Sequence, residues 1–258
     1  MDWHQSVIGL FVGFLVGLTG VGGGSLMTPI LLLLHYKAST AVGSDLVYAA
    51  VMKVFGSAVH RKYGEVDMPL VVRLSLGSVP GSLLGAYAVS ALIARYGKVA
   101  QADLARFIGI MVLLVAVTLL IRSLPKLRAL LPAPDLTLSR EKTLFYAVPT
   151  GLILGFLVGM SSIGSGAFFA IVFMVFFGLR GKSLVGTDVV HGMVLSIAAA
   201  LGHIITSNVD YGLVLNLLIG AVPGVILGSR LCSVTPYTVL RPTLASILLV
   251  SGLKVLTS

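Results

Sequence analysis

The sequence predicts an all-α polytopic membrane protein made of two repeats, the second inverted relative to the first. Each repeat has an interrupted first helix, re-entrant or broken, plus three spanning helices. Three observations lead there: an apolar composition, two glycine- and serine-rich breaks inside long apolar runs, and a duplication at a fixed offset. Of 258 residues, 57% are hydrophobic and 10% charged, and the mean hydropathy is +1.05. Soluble domains carry about 25% charged residues, so a soluble class is excluded and the lipid bilayer is the first partner expected. The single Cys excludes an internal disulfide framework and a cysteine-based metal cluster. The net charge of +9 lies in short clusters between apolar segments. Basic residues there fix membrane orientation, so no nucleic-acid partner is expected. The start, Met1-Asp2-Trp3-His4, lacks the basic residues of a signal peptide, and no small-residue cleavage site follows. The first apolar segment is therefore expected to be retained, in a multi-pass protein of the plasma (inner) membrane.

Apolar segments run over 6–34, 38–60, 67–93, 104–122, 144–178, 182–205, 210–231 and 238–256, the first and fifth being interrupted. Each unbroken one is near or above the ~20 residues that cross a bilayer. In the first, Gly20-Val21-Gly22-Gly23-Gly24 cannot sustain a helix, because each Gly costs roughly 1 kcal/mol relative to Ala. One half-helix is expected to end near Leu18 and another to start near Ser25. Unwound backbone at membrane depth is tolerated only where protein buries it or where it lines a wet cavity. The N-terminus of the second half-helix would offer N–H groups to an anion. Ser161-Ser162-Ile163-Gly164-Ser165-Gly166 holds the same place in the fifth segment. The glycine run is no nucleotide loop, since no Lys-Ser/Thr follows it and no strand precedes it.

The two halves repeat. With an offset of 143, Val42-Gly43-Ser44-Asp45 recurs as Val185-Gly186-Thr187-Asp188, His60 as His203, and Val66-Asp67 as Val209-Asp210. Gly77, Pro80, Gly81 and Gly85 recur as Gly220, Pro223, Gly224 and Gly228. With an offset of 142, Gly13-Phe14-Leu15-Val16-Gly17 recurs as Gly155-Phe156-Leu157-Val158-Gly159. The expected organisation is a first transmembrane repeat over 1–122, a polar connecting loop over 123–142 that carries Pro125, Pro132 and Pro134, and a second repeat over 143–258. Duplication with interrupted helices in corresponding places is the sequence pattern of secondary transporters and points to a site between the repeats.

Charge bears on topology. If each interrupted segment dips in and returns, Lys37, Arg95, Lys98, Arg106 and Lys254 share one side, and the other cations outside the spans gather opposite. That asymmetry is the one basic residues show across membranes. If both segments cross, giving eight spans, the cations divide evenly. Six spans plus two re-entrant hairpins is the arrangement preferred here. It makes each half cross three times, an odd number that inverts the second copy.

On the residues Gly17-Leu18-Thr19-Gly20-Val21-Gly22-Gly23-Gly24-Ser25-Leu26 with Pro29, the echo of Gly43-Ser44-Asp45 at Gly186-Thr187-Asp188, and the paired Pro80-Gly81 and Pro223-Gly224, the chain resembles the TauE/SafE family of membrane permeases. The resemblance covers essentially the whole chain. It implies a permease for sulfite, thiosulfate, sulfoacetate or related sulfur-containing anions, with a small anionic substrate as partner, no cofactor and no enzymatic activity. No ATP-binding motif is present, so any driving force would come from an ion gradient, the membrane potential or the substrate gradient.

The residues expected to bind substrate are Gly20, Gly22, Gly23, Gly24 and Ser25 at the first break and Ser161, Ser162, Gly164, Ser165 and Gly166 at the second. Lys53 and Arg73 join them as the only basic residues deep within predicted spans, where ionisable groups are costly and face interior cavities. The repeat pairs Lys53 with Ser196 and Arg73 with Asn216, so charge appears once at places that stay polar. Arg presents a donor fork suited to oxyanions, although Arg73 lies close enough to Asp67 to snorkel to the interface. Asp45 is a possible partner of Lys53. Asp45, Asp188 and His191 are candidates for proton or pH coupling, with helix capping at Ser44 and Thr187 as the plainer role of the two Asp motifs. His60 and His203 are expected to serve the ends of their own helices. The stripes Gly9-Gly13-Gly17, Gly77-Gly81-Gly85, Gly151-Gly155-Gly159 and Gly220-Gly224-Gly228 are expected to pack helices closely. Two rival functions stay open: an anion channel, since half-helices also build pores, and an intramembrane enzyme with Ser165 as nucleophile and His203 as base.

Overall fold

A computed structural model describes residues 2–19, 24–62, 66–123, 140–179, 181–232 and 237–257. Among the described residues there are ten helices and no strand: α1 (Trp3–Thr19), α2 (Gly24–Leu33), α3 (Ala38–Lys62), α4 (Met68–Tyr96), α5 (Lys98–Ser123), α6 (Arg140–Ser161), α7 (Ala167–Val175), α8 (Gly181–Ile205), α9 (Tyr211–Cys232) and α10 (Tyr237–Thr257). Both breaks fall where the glycines and serines put them, after Thr19 and after Ser161. Among the described residues five helices are long and apolar enough to cross a membrane: Met68–Tyr96, Lys98–Ile121, Leu144–Ser161, Gly181–Ile205 and Tyr211–Leu231. Gly20, Gly22, Gly23, the greater part of the expected connecting loop, and the side chains of His60 and Cys232 lie outside the described residues.

The glycine stripes make the two most extensive helix interfaces, α1 on α9 and α4 on α6. A β-carbon on Gly220 would collide with the carbonyl of Ser6, and one on Gly77 with that of Val148, so backbone meets backbone as small-residue stripes allow. The register of these contacts gives direction. Gly9, Gly13 and Gly17 abut Leu217, Ala221 and Val225 in ascending order, so α1 and α9 run parallel; Gly77, Gly81 and Gly85 abut Val148, Leu152 and Phe156, so α4 and α6 do too. α5 and α10 run antiparallel, with Gly109 against Leu256 and Gly252 against Leu113. α3 and α8 also run antiparallel, for Lys53 reaches Ser196 while Gly43 lies against His203.

Each interrupted pair returns to where it began. The side chain of Gln5, at the start of α1, donates to the hydroxyl of Tyr36, beyond the end of α2, at 2.8 Å. In the second copy, His203 near the end of α8 meets Gly159 near the end of α6. α8 runs parallel to α4, with Thr187, His191 and Gly202 against Asp67, Ser78 and Ala86. α4 runs parallel to α6, so α6 and α8 point one way and the chain between Ser161 and Gly181 must come back.

One expectation is corrected. α3 begins at Ala38 and α8 at Gly181, so Ser44-Asp45 and Thr187-Asp188 lie well inside their helices and cap neither. The two hydroxyls instead serve the neighbouring helices. Ser44 Oγ accepts the N–H of Asp210 at 3.0 Å, whose carboxylate caps Leu213 N at the head of α9. Thr187 Oγ1 accepts the N–H of Asp67 at 3.0 Å, whose carboxylate caps Leu70 N at the head of α4. Carboxylates at helix starts satisfy otherwise orphaned donors, and the repeated Val-Asp pair is read that way.

Candidate functional site

α3 and α8 cross at the centre of the bundle, and the buried polar groups collect there. Lys53 of α3 is 8% exposed. Its ammonium donates to Ser165 Oγ at the second break (2.7 Å), to Ser196 Oγ (3.4 Å) and to the carbonyl of Gly192 (3.5 Å). All three acceptors are neutral oxygens, while the carboxylates of Asp188 and Asp45 act on Lys53 from farther off. Gly192 makes the room: a β-carbon there would lie 2.8 Å from the Lys53 nitrogen. The N-terminal end of α7 begins at Ala167, two residues after Ser165, with Gly166 as its cap residue and no side-chain cap bond. Its first-turn N–H groups and the ammonium thus lie at the same break.

The three serines of the second break divide their work. Ser161 closes α6, donating to Leu157 O (2.7 Å) and accepting from Ile163 N (3.2 Å). Ser162, in the left-handed region with φ 61, reaches across to Asp45 Oδ2 at 2.9 Å. Ser165 receives Lys53. Gly164 adopts φ 97, a conformation that side chains rarely take, and this turns the chain between the two outward-reaching serines. Asp45 is fully buried and also accepts from Thr28 Oγ1 of α2. It does not bond Lys53 directly, contrary to the expected pairing: each group has been given hydroxyls instead. On the first break, Gly24 opens α2 and Ser25 is buried.

His191 is fully buried. Its Nε2 pairs with Ser78 Oγ of α4 at 2.9 Å, and its ring packs on Phe169 of α7, centroids 4.4 Å apart. Asp188 lies one turn earlier on α8. Lys53, Ser165, Ser162, Asp45 and His191 are thus gathered where α3, α8 and the second break meet.

Arg73 and Asn216 are not among them. Asn216 sits near the start of α9, where its amide donates to Gln5 Oε1 at 2.8 Å and its carbonyl accepts from Ser6 Oγ. It belongs to the network that ties the start of α1 to Tyr36. Arg73, its counterpart, lies half-buried one turn into α4. His203 departs from the role expected of it: Nε2 bonds the carbonyl of Gly159 on α6 at 2.8 Å rather than the end of its own helix. Ser165 and His203 therefore serve different partners, Lys53 and Gly159. Sequence reasoning missed Thr28 and Gly192, because a lone Thr in an apolar run and a lone Gly in a helix carry no mark of their role.

A groove of about 460 Å³ opens elsewhere, between α4, α5 and the end of α6, lined by Val89, Ile93, Tyr96, Asp103, Phe107 and Met160. Its walls are apolar and its one charged side chain is acidic, which suits no anion.

The family model described as Sulfite exporter TauE/SafE matches residues 6–255. The chain is 38% identical over 250 residues to the probable membrane transporter protein YjnA of Bacillus subtilis (strain 168), with 97% of this chain and 98% of that one covered. It is 28% identical over 247 residues to the probable membrane transporter protein YdhB of the same organism, covering 95% and 96%. A probable membrane transporter protein of Haemophilus influenzae is 24% identical over 208 residues, covering 78% and 72%. No solved structure matches.

Proposed function

The chain belongs to the sulfite exporter TauE/SafE family and is a multi-pass membrane transporter, and from that premise we propose that it is a secondary transporter of small sulfur-containing anions. The substrates meant are sulfite, thiosulfate, sulfoacetate or related organosulfonates, bound mid-membrane between two inverted repeats. The observation that carries the reading is Lys53, a buried ammonium at the crossing of α3 and α8 whose near partners are all neutral oxygens. A cation held this way inside a bilayer is costly, and an anion arriving beside it relieves that cost. Ser165, Ser196 and the first-turn N–H groups of α7 are the hydrogen-bond donors at hand for oxyanion oxygens.

Helix directions support the inversion. Lys53 and Ser196 are repeat counterparts and touch each other. A twofold axis that exchanges them while α3 and α8 run in opposite senses must lie across the helices, hence in the plane of the bilayer. Gly109 and Gly252, also counterparts, meet α10 and α5 in the same antiparallel way. Together with the two returning pairs this supports re-entrant hairpins, repeats over 1–122 and 143–258, and access alternating by rocking of one repeat against the other. The burial of Lys53, Asp45, Ser162 and Ser165 favours a carrier over an open pore. In liposomes holding the purified chain, saturable uptake of labelled sulfite, thiosulfate or sulfoacetate is expected. Non-saturating flux of all three would point to the channel instead, and no flux of any would remove the reading.

A further inference from the structure

Asp45 is the one side chain that joins both interrupted helices at once among the described residues. Its Oδ2 accepts from Thr28 on α2, the returning half of the first pair, and from Ser162 in the break of the second. Among the described residues its Oδ1, which is fully buried, has no hydrogen-bond partner, and neither has the hydroxyl of Tyr48 one turn along α3. A buried carboxylate oxygen without a donor is expensive, so something beyond these two hydroxyls is meant to meet it. The side-chain oxygens that converge there are the two of the Asp45 carboxylate and one each from Thr28 and Ser162. The free Oδ1 lone pair on this one negative charge is a place for a proton.

The Thr28 arm has no side-chain counterpart in the second copy. The repeat carries Asp45 onto Asp188 but Thr28 onto Ile171, or onto Ala170 at the offset of 142, and neither has a hydroxyl to give. We propose that Asp45 is a proton-operated latch: ionised, it holds α2 to the second break through Thr28 and Ser162, and with a proton on Oδ1 it lets them part. Hydrogen bonds to a carboxylate are about twice as strong as those to a neutral acceptor, so forming the Oδ1–H bond weakens both arms together. The proton comes from water on one face and leaves to water on the other. In a carrier whose two end states exchange the conformations of the repeats, a tie present in only one of them favours one end state. Protonation then lets the other be reached, which couples proton movement to that of the anion. This use of the latch rests on the transport reading above; its test does not.

The groups that can influence the titration are Tyr48 and Lys53 on α3, Asp188, His191 and His203 on α8, and Asp210 at the head of α9. α5 adds Lys98, Asp103 and Arg106 at its exposed start and carries Arg122 at its far end, and α2 adds hydroxyls alone. The experiment uses the full chain in liposomes with Cys232→Ala, carrying spin labels at Leu34→Cys and Phe176→Cys, exposed positions just beyond α2 and α7. Lowering the pH is expected to lengthen the interlabel distance by about 5 Å, the scale of a one-turn slide. Asp45→Asn and Thr28→Val are expected to give the long distance at every pH, and Thr28→Ser to restore the response. A wild-type distance that ignores pH, one that follows sodium instead, or an Asp45→Asn protein that still responds would each overturn the latch. Thiosulfate, sulfite and sulfoacetate flux on the same vesicles reports separately: a pH-driven shift without flux of any of them keeps the latch and removes the transport reading.

Discussion

α3 and α8 are counterparts in the duplication and meet each other at their middles, yet they are furnished differently. Both carry an acidic residue at the same place, Asp45 and Asp188, and both bury a ring one turn later, Tyr48 and His191. At the crossing only α3 has an ammonium, Lys53 facing Ser196, and only α8 has a glycine, Gly192, where α3 has Ala49. The two differences are one device, because the missing β-carbon on α8 lies where the ammonium from α3 arrives. On the proposed duplication, both copies bring the crossing and a buried ring beside it. A single charge near the axis, with space cut for it in the opposite helix, is what a later specialisation of one copy looks like.

The comparison can be broken most severely at the scaffold that both copies share. Gly220→Leu or Gly77→Leu would drive a side chain into the Ser6 or Val148 carbonyl. Both are expected to abolish folded protein in detergent size-exclusion chromatography, since overpacking already costs about 1–3 kcal/mol for added methylenes where neighbours can move and here backbone cannot. Equal failure at the two glycines would show the scaffold to be symmetric even though the site is not. Next comes the charge. Lys53→Met should leave the fold intact and weaken anion uptake roughly ten- to hundredfold, the worth of a lost hydrogen bond to a charged group. Moving the charge instead of deleting it, in the double variant Lys53→Ser with Ser196→Lys, is expected to recover part of that loss. Recovery requires the lysine to work from the opposite helix, and none would mean that Ser165 and Gly192 fix its side. Gly192→Ala is milder. It pushes the ammonium aside and should raise the half-saturating substrate concentration several-fold with little change in maximal rate, as expected when binding rather than the fold is disturbed.

How much of this was readable from residues alone follows the same division. The breaks were legible because four glycines in five positions, and three serines with two glycines, leave a helix no alternative. The stripes were legible because a four-residue spacing of glycines has one use in a bilayer. Lys53 stood out because a charge inside an apolar run must be accounted for. Depth was not legible. Asn216 inherited a place at the site from its pairing with Arg73, and nothing in the pairing says that it lies beside Gln5 at the start of α1. The Gly43-Ser44-Asp45 motif looked like a helix start because Gly, Ser and Asp favour caps. In the bundle, α3 begins six residues earlier, and the hydroxyl is spent on the next helix across. A local preference was overruled by a tertiary partner that only the folded chain brings near.

The smallest expected effect tests whether the symmetry is energetic as well as geometric. Ser44 and Thr187 do the same work, each accepting the N–H of a capping Asp at 3.0 Å. Removing either hydroxyl strands an N–H and loosens a cap, a cost of about 1 kcal/mol. The two sites nonetheless differ in wetness. Asp210 is exposed whereas Asp67 is half-buried, and α4 packs on α8 far more extensively than α9 packs on α3. Water can take over the stranded donor at Asp210 and has less access at Asp67, and an unmet donor costs more where water is kept out. Thr187→Val is therefore expected to lower the thermal midpoint in detergent more than Ser44→Ala does, by the difference between roughly 1–2 and roughly 0.5 kcal/mol. Equal shifts would mean that solvent reaches both caps alike. A larger shift for Ser44→Ala would reverse the assignment of α4 and α8 as the tighter of the two corresponding pairs.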